Sequence, residues 1–159
     1  MIRWIKTFLV ALVALFFTLV VFGNLTDFKG NLLFVEHVLK MDSTYLSPNI
    51  MWRAIDNYPT HVLAYVFIIL VELVAAVILW IGSYRLFKSC HDSDVFKNNK
   101  YYANLGLVVG IALYFGGFIV IGGEWFAMWQ SSAWNGVDAA ARFSMLLLFV
   151  LLFLNQQEN

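Results

Sequence analysis

The chain has 159 residues, 62% of them hydrophobic and only 13% charged, and its 10 basic and 10 acidic residues sum to zero. A soluble domain is nearer 45–50% apolar and about 25% charged, so most of this chain needs lipid as its solvent. Zero net charge gives no general attraction to nucleic acid, and a single cysteine, Cys90, excludes an intramolecular disulfide and any multi-cysteine metal site.

The first apolar run, 7–23, follows the basic start "MIRWIK". Arg3 and Lys6 ahead of such a run also describe a secretory signal peptide, but the segment is expected to stay as a signal anchor and first membrane helix. The connection 24–60 is expected to fold. "NLLFVEHVLKM" puts Leu33, Phe34, His37, Val38 and Met41 on one helical face, with Glu36 and Lys40 as an i,i+4 pair. "SPNIMWRAID" offers Ser47 as N-cap and Pro48 at the first helical position, ahead of Ile50, Met51, Trp52 and Ile55. Two short amphipathic helices are therefore expected here. "NLT" at Asn24 has the form of a glycosylation sequon but lies close to the membrane.

A second apolar run covers 61–87, a third 103–121 and a fourth 137–154. Each approaches the ~20 residues that a helix needs to cross a ~30 Å hydrocarbon core, and lipid leaves no other way to satisfy the backbone of a single segment. The 88–102 loop holds Cys90, His91, Asp92 and Asp94, which imitate a metal cluster but read as a solvated polar loop. The fold expected is an all-α membrane protein, one domain over 1–159: a four-transmembrane-helix bundle with a small helical cap, 24–60, on the outer (periplasmic) side between helices 1 and 2. Arg3, Lys6, Arg85, Lys88, Lys97 and Lys100 fall on the side of the termini, against Lys29, Lys40 and Arg53 opposite. That bias places both termini in the cytoplasm.

Glu72 stands near the middle of the second run, where a charged side chain costs at least ~2.5–3.5 kcal/mol on insertion scales. It must be protonated, face the bundle interior or have a partner. Arg142, early in the fourth run, is the candidate partner, with Glu124 and Asp138 competing for it; Asp138 has the i,i+4 spacing. Glu72, Glu124 and Arg142 read either as a polar relay or binding cavity, or as a buried clamp that fixes helix register. His37 and His61 lie at the outer edge, so no histidine stands mid-span to hold a haem, though a surface metal or haem on those two stays open. No cofactor is expected. "GLVVG", Gly106 to Gly110, is a GxxxG pattern that Gly117 extends, and it marks the third span for close helix packing within or between protomers.

"GGEWFAMWQSSAWNG", 122–136, joins the third and fourth spans. Trp125 and Trp129 are four apart, so a helical turn sets both rings on one face at the lipid–water boundary, with Trp134 adding a third anchor. Glu124 is expected to pair with Arg142 or Arg53 in a polar layer that also holds His37 and His61. There is no phosphate-binding loop, dinucleotide fingerprint, nucleophile elbow or HExxH motif.

"NLTDFKGNLLFVEHVLKMDSTY", "WRAI", "HVLAYVFIILVE" and above all "GGEWFAMWQSSAWNG" followed by "AARF" resemble a bacterial family of predicted small integral membrane proteins, the domain of unknown function 2165. The likeness covers nearly the whole chain. It implies a four-span protein of the bacterial inner membrane and supplies no activity, substrate or catalytic residue.

Three functions stay in view. One is a non-enzymatic protein that acts through packing, as an accessory subunit of a membrane complex or a homo-oligomer. Another is an oligomeric channel, transporter or small-molecule or lipid-binding protein that uses Glu72 and Arg142. The last is a membrane enzyme or redox protein working at the outer face through Glu36, His37, His61 and Glu124. The partners expected are the lipid bilayer and copies of the chain or other membrane subunits, with no nucleic acid.

Overall fold

The computed structural model describes residues 1–157 and is built mainly of helices. Four stretches are long and apolar enough to cross a membrane: Ile2–Thr26, Tyr58–Ser89, Ser93–Trp125 and Val137–Asn155. They take in the four expected spans and reach a few residues further at most ends.

Helix α1 (Ile2–Thr26) runs almost directly into α2 (Phe28–Lys40), with only Asp27 between them. The break has a local cause, since Asp27 has φ −113 and ψ 53, outside the helical region. Helix α2 stops at Met41, whose φ of 54 is left-handed. Helix α3 (Tyr58–Ser89) begins at an N-cap, where the Asn57 side chain accepts from Thr60 N at 3.0 Å and Pro59 sits in the first turn. A short helix α4 (Ser93–Asn98) starts on the Asp92 carboxylate, which accepts from Asp94 N and Val95 N. The 88–102 loop thus spends this aspartate on a helix start.

Helix α5 (Tyr101–Ile111) continues as a π-helix over Ala112–Trp125, and Phe126 N donates to Ile121 O at 3.0 Å in the i→i+5 pattern. Such stretches are rare and usually one turn long. Glycines at 116, 117, 122 and 123 leave this one little Cβ crowding. Helix α6 (Val137–Asn155) is the last span.

In space α1 packs on α3, α3 on α5, and α6 on both α5 with its π-helical extension and α1, so the spans close into a ring. One core holds Val10, Phe17, Leu79, Leu86, Leu107, Tyr114 and Leu147, drawn from all four. At one end of the ring Arg3 Nε donates to Cys90 O at 2.6 Å and Lys6 Nζ to Gln156 O at 2.6 Å. Asn104 and Asn155 exchange amide hydrogen bonds there, at 3.1 and 2.8 Å. Both described termini and the 88–102 loop therefore share that end.

At the other end the 24–60 connection meets the 126–136 segment. Ser43 Oγ donates to Ser131 Oγ at 2.8 Å, and Tyr45 N to Gln130 Oε1 at 3.1 Å. The second helix expected from "SPNIMWRAID" is only a turn followed by a 3-10 segment, Met51–Arg53. Ile55 N is drawn to Leu39 O at 2.8 Å and Asn57 already caps α3. Ala54 is extended, with φ −60 and ψ 135, so the turn does not propagate past Arg53.

Candidate functional site

Glu72 is buried, and its partner comes from α1. Asn24 Nδ2 donates to Glu72 Oε2 at 2.7 Å, while Tyr65 Oη donates to Asn24 O at 3.0 Å. Because α1 extends to Thr26, Asn24 belongs to its last turn and lies at the depth of Glu72. The expected Glu72–Arg142 pair is not formed. Arg142 is exposed on α6, as is Asp138 one turn before it, and neither makes a hydrogen bond or ion pair among the described residues. Their i,i+4 spacing does not draw them together.

Glu124 is exposed and also makes no hydrogen bond or ion pair, so the expected contact with Arg142 or Arg53 is absent. The Arg53 guanidinium is engaged differently. Its Cζ lies 4.7 Å from the Trp125 ring centroid and 5.5 Å from that of Trp52, and Nη1 donates to Trp125 O at 3.3 Å. A cation held over indole faces is stabilised by the ring quadrupole. Arg53 Nε is buried and has no partner.

The two histidines of this end have separate roles. His61 is fully buried at the start of α3, with Nε2 2.7 Å from Ile55 O and Nδ1 unpartnered. His37 Nδ1 lies 2.8 Å from Asp42 Oδ2, and its ring stacks on Trp134 at 4.4 Å and 12°. No group of three His, Cys, Asp or Glu side chains among the described residues is placed to hold a metal ion.

The tryptophans of 122–136 do not share one helical face. Ala127 has φ 53 and breaks the chain between Trp125 and Trp129. Trp125 meets Trp52 edge-on at 5.7 Å, Trp129 meets Tyr45 edge-on at 6.0 Å, and Trp134 goes to His37. All three still lie at the same end, where indoles favour the membrane boundary.

The glycine face is used inside the molecule. A Cβ on Gly106 would come 2.6 Å from Leu79 Cγ, and one on Gly110 2.6 Å from Phe17 Cζ, so α5 sits tightly against α3 and α1. Gly117 does not continue that interface, since a Cβ there would meet only Leu113 Cδ1, at 3.7 Å. The closest approach is at a residue outside the motif. A Cβ on Gly82 of α3 would lie 2.5 Å from the backbone nitrogen of Ala103.

Toward the 24–60 end α3 and the π-helix separate, and an apolar groove of about 210 Å³ opens between them and α2. Val38, Phe67, Ile68, Gly117, Phe118 and Met128 are among its walls. Beside it lies a wider hollow of about 520 Å³ lined by Arg53, Val120, Ile121, Glu124, Trp125 and Phe126. Ile121 and Phe126 line both. No motif marks this site; only the glycines of 116–123 and the isolated Arg53 signal it in the sequence.

On Glu36 and Lys40 the expected pair is formed, and Lys40 also reaches Asp56 Oδ1 at 3.5 Å. The hydrogen bond from Lys40 holds the Glu36 carboxyl below its usual range, and the same bond holds the Lys40 ammonium above its own.

A family model described as "Predicted small integral membrane protein (DUF2165)" matches residues 2–157. No curated protein and no solved structure matches the chain.

Proposed function

The chain belongs to the DUF2165 family of predicted small integral membrane proteins, and from that premise we propose that it acts through packing inside the bilayer, as a homo-oligomer or as an accessory subunit of a membrane complex. We place it in a bacterial inner membrane with both termini cytoplasmic, because six basic residues, Arg3, Lys6, Arg85, Lys88, Lys97 and Lys100, lie in the terminal segments and around the 88–102 loop against Lys29, Lys40 and Arg53 opposite.

The observation that carries the packing role is the free face of α6. Asp138, Arg142, Met145, Phe149 and Leu152 are all exposed, and they recur at spacings of 4, 3, 4 and 3. That is the repeat of a helix seam built to receive knobs from another helix. The opposite face, Ala140, Ser144, Leu147 and Leu154, is already buried in the ring. Lipid tails suffice to cover the three apolar residues but offer nothing to the two uncommitted charges, which favour a polar counterpart. In a twofold pair each Arg142 meets Asp138 of the partner subunit.

The glycine stripe no longer argues for association, since Gly106 and Gly110 are filled from within. The association surface therefore has to be sought on α6. Native mass spectrometry of the gently solubilised protein tests the reading. A dimer, a higher oligomer or a stoichiometric companion is expected; a strictly monomeric, companion-free species sinks it.

The alternative of a channel, transporter or binding protein finds no support at Glu72 and Arg142, which stand apart. Its lipid-binding form is supported instead by the groove beside Arg53.

A further inference from the structure

We propose that the groove and the adjoining hollow together bind one phospholipid with an ammonium-bearing headgroup, its acyl chain between α2, α3 and the π-helix, its phosphate on Arg53 and its ammonium on Glu124. No residue of α6 lines this site, and it stands or falls independently of the α6 face.

Arg53 and Glu124 line the same hollow and make no ion pair with each other. Neighbouring charges are committed elsewhere: Lys40 to Glu36 and Asp56, and His37 to Asp42. Arg53 offers Nη2, which has no hydrogen-bond partner among the described residues, and its orientation is fixed by Trp125 and Trp52. A cation and an anion left apart around one hollow match a zwitterion, not a simple anion. Phosphate takes the guanidinium as a charge-assisted acceptor, and a primary ammonium has N–H groups for the carboxylate.

The groove supplies the second half. Its walls are almost entirely hydrocarbon, and exposed Phe67 and Ile121 stand among them. At about 210 Å³ it holds a length of chain, whereas a helix, with a diameter of roughly 10–12 Å, does not enter. Ile121 and Phe126 make the groove continuous with the hollow. The tryptophans around Arg53 mark the depth at which headgroups lie. A lipid seated here spans the two without leaving its layer of the membrane.

The test is native mass spectrometry of the full-length protein with phosphatidylethanolamine, phosphatidylglycerol and phosphatidylcholine of identical acyl chains. Wild type should retain phosphatidylethanolamine about tenfold better than phosphatidylglycerol, as one charged hydrogen bond implies. Phosphatidylcholine, whose ammonium has no N–H, should bind more weakly than phosphatidylethanolamine. Glu124→Gln, an isosteric change at an exposed position, should remove the preference while leaving phosphatidylglycerol retention unchanged or higher. Arg53→Gln should lower retention of all three, as should Gly117→Leu, which fills the groove without touching the headgroup contacts. Equal retention of the three lipids by wild type, or an undiminished preference in Glu124→Gln, overturns the proposal. So does a polypeptide that co-purifies in place of lipid and is expelled by Gly117→Leu.

Discussion

Asn24 Nδ2 donates to Glu72 Oε2 at 2.7 Å, joining the last turn of α1 to the middle of α3 across 48 residues of sequence. The buried carboxylate of the second span is thus a tie between helices. Hydrogen bonds of this kind between membrane helices are modest, averaging about 0.6 kcal/mol, because the separated helices find other partners. Asn24→Ala is expected to lower stability by about 1 kcal/mol in a denaturant titration in detergent. Glu72→Gln keeps an oxygen for Asn24 and should be close to neutral. If Glu72→Gln destabilises more than Asn24→Ala, the carboxylate has a further role.

A steric prediction concerns Gly82. A methyl group there meets the Ala103 backbone at 2.5 Å to the nitrogen and 2.8 Å to Cα, and backbone cannot swing aside. At Gly110 the nearest atoms belong to the side chains of Phe17 and Leu147, which can. Gly82→Ala should therefore cost about 1–3 kcal/mol, as overpacking does, and Gly110→Ala less. Thermal unfolding of the two variants in one detergent checks the order. The reverse ranking removes the close approach of α3 and α5 from the account.

These two sites show what the sequence discloses. The four spans are legible because hydrophobicity along the chain is a direct record of burial in lipid. Glu72 is legible as a residue that must be buried with a partner, but the partner is not. Asn24 falls after the apolar run and reads as loop, and only the extension of α1 to Thr26 brings it level with Glu72. The GxxxG pattern announces close packing without saying against what. Gly82 carries no motif because its tight contact depends on the relative depth of two helices. Arg53 and Glu124 look like partners by charge. The indole and carbonyl of Trp125 hold Arg53 instead, and that outcome depends on backbone geometry and not on composition.

The Glu36–Lys40 pair predicts a pH window. The Glu36 pKa is lowered in the folded state, so its contribution is full above the ordinary carboxylate pKa and is lost as pH falls through the folded value. The Lys40 pKa is raised, so its contribution is full below the ordinary lysine pKa and is lost as pH rises through the folded value. The attachment of α2 should be insensitive to this pair between about pH 5 and 10 and loosen beyond either limit. Amide hydrogen exchange along α2 reports it. The acid-side change should be smaller in Glu36→Gln; an identical acid limb in that variant contradicts the assignment.

The central claim is that α6 presents a free face for packing in the membrane, and cysteine cross-linking in native membranes addresses it most directly. With Cys90 replaced by serine, single cysteines at Met145, Phe149 and Leu152 on the exposed face are compared with one at Leu147 on the buried face. The account predicts cross-links at 145, 149 and 152, either between copies or to one reproducible companion, and none at 147. Their efficiency should fall in Arg142→Leu. Absence of cross-links along the whole exposed face, or equal labelling at 147 and 149, contradicts it.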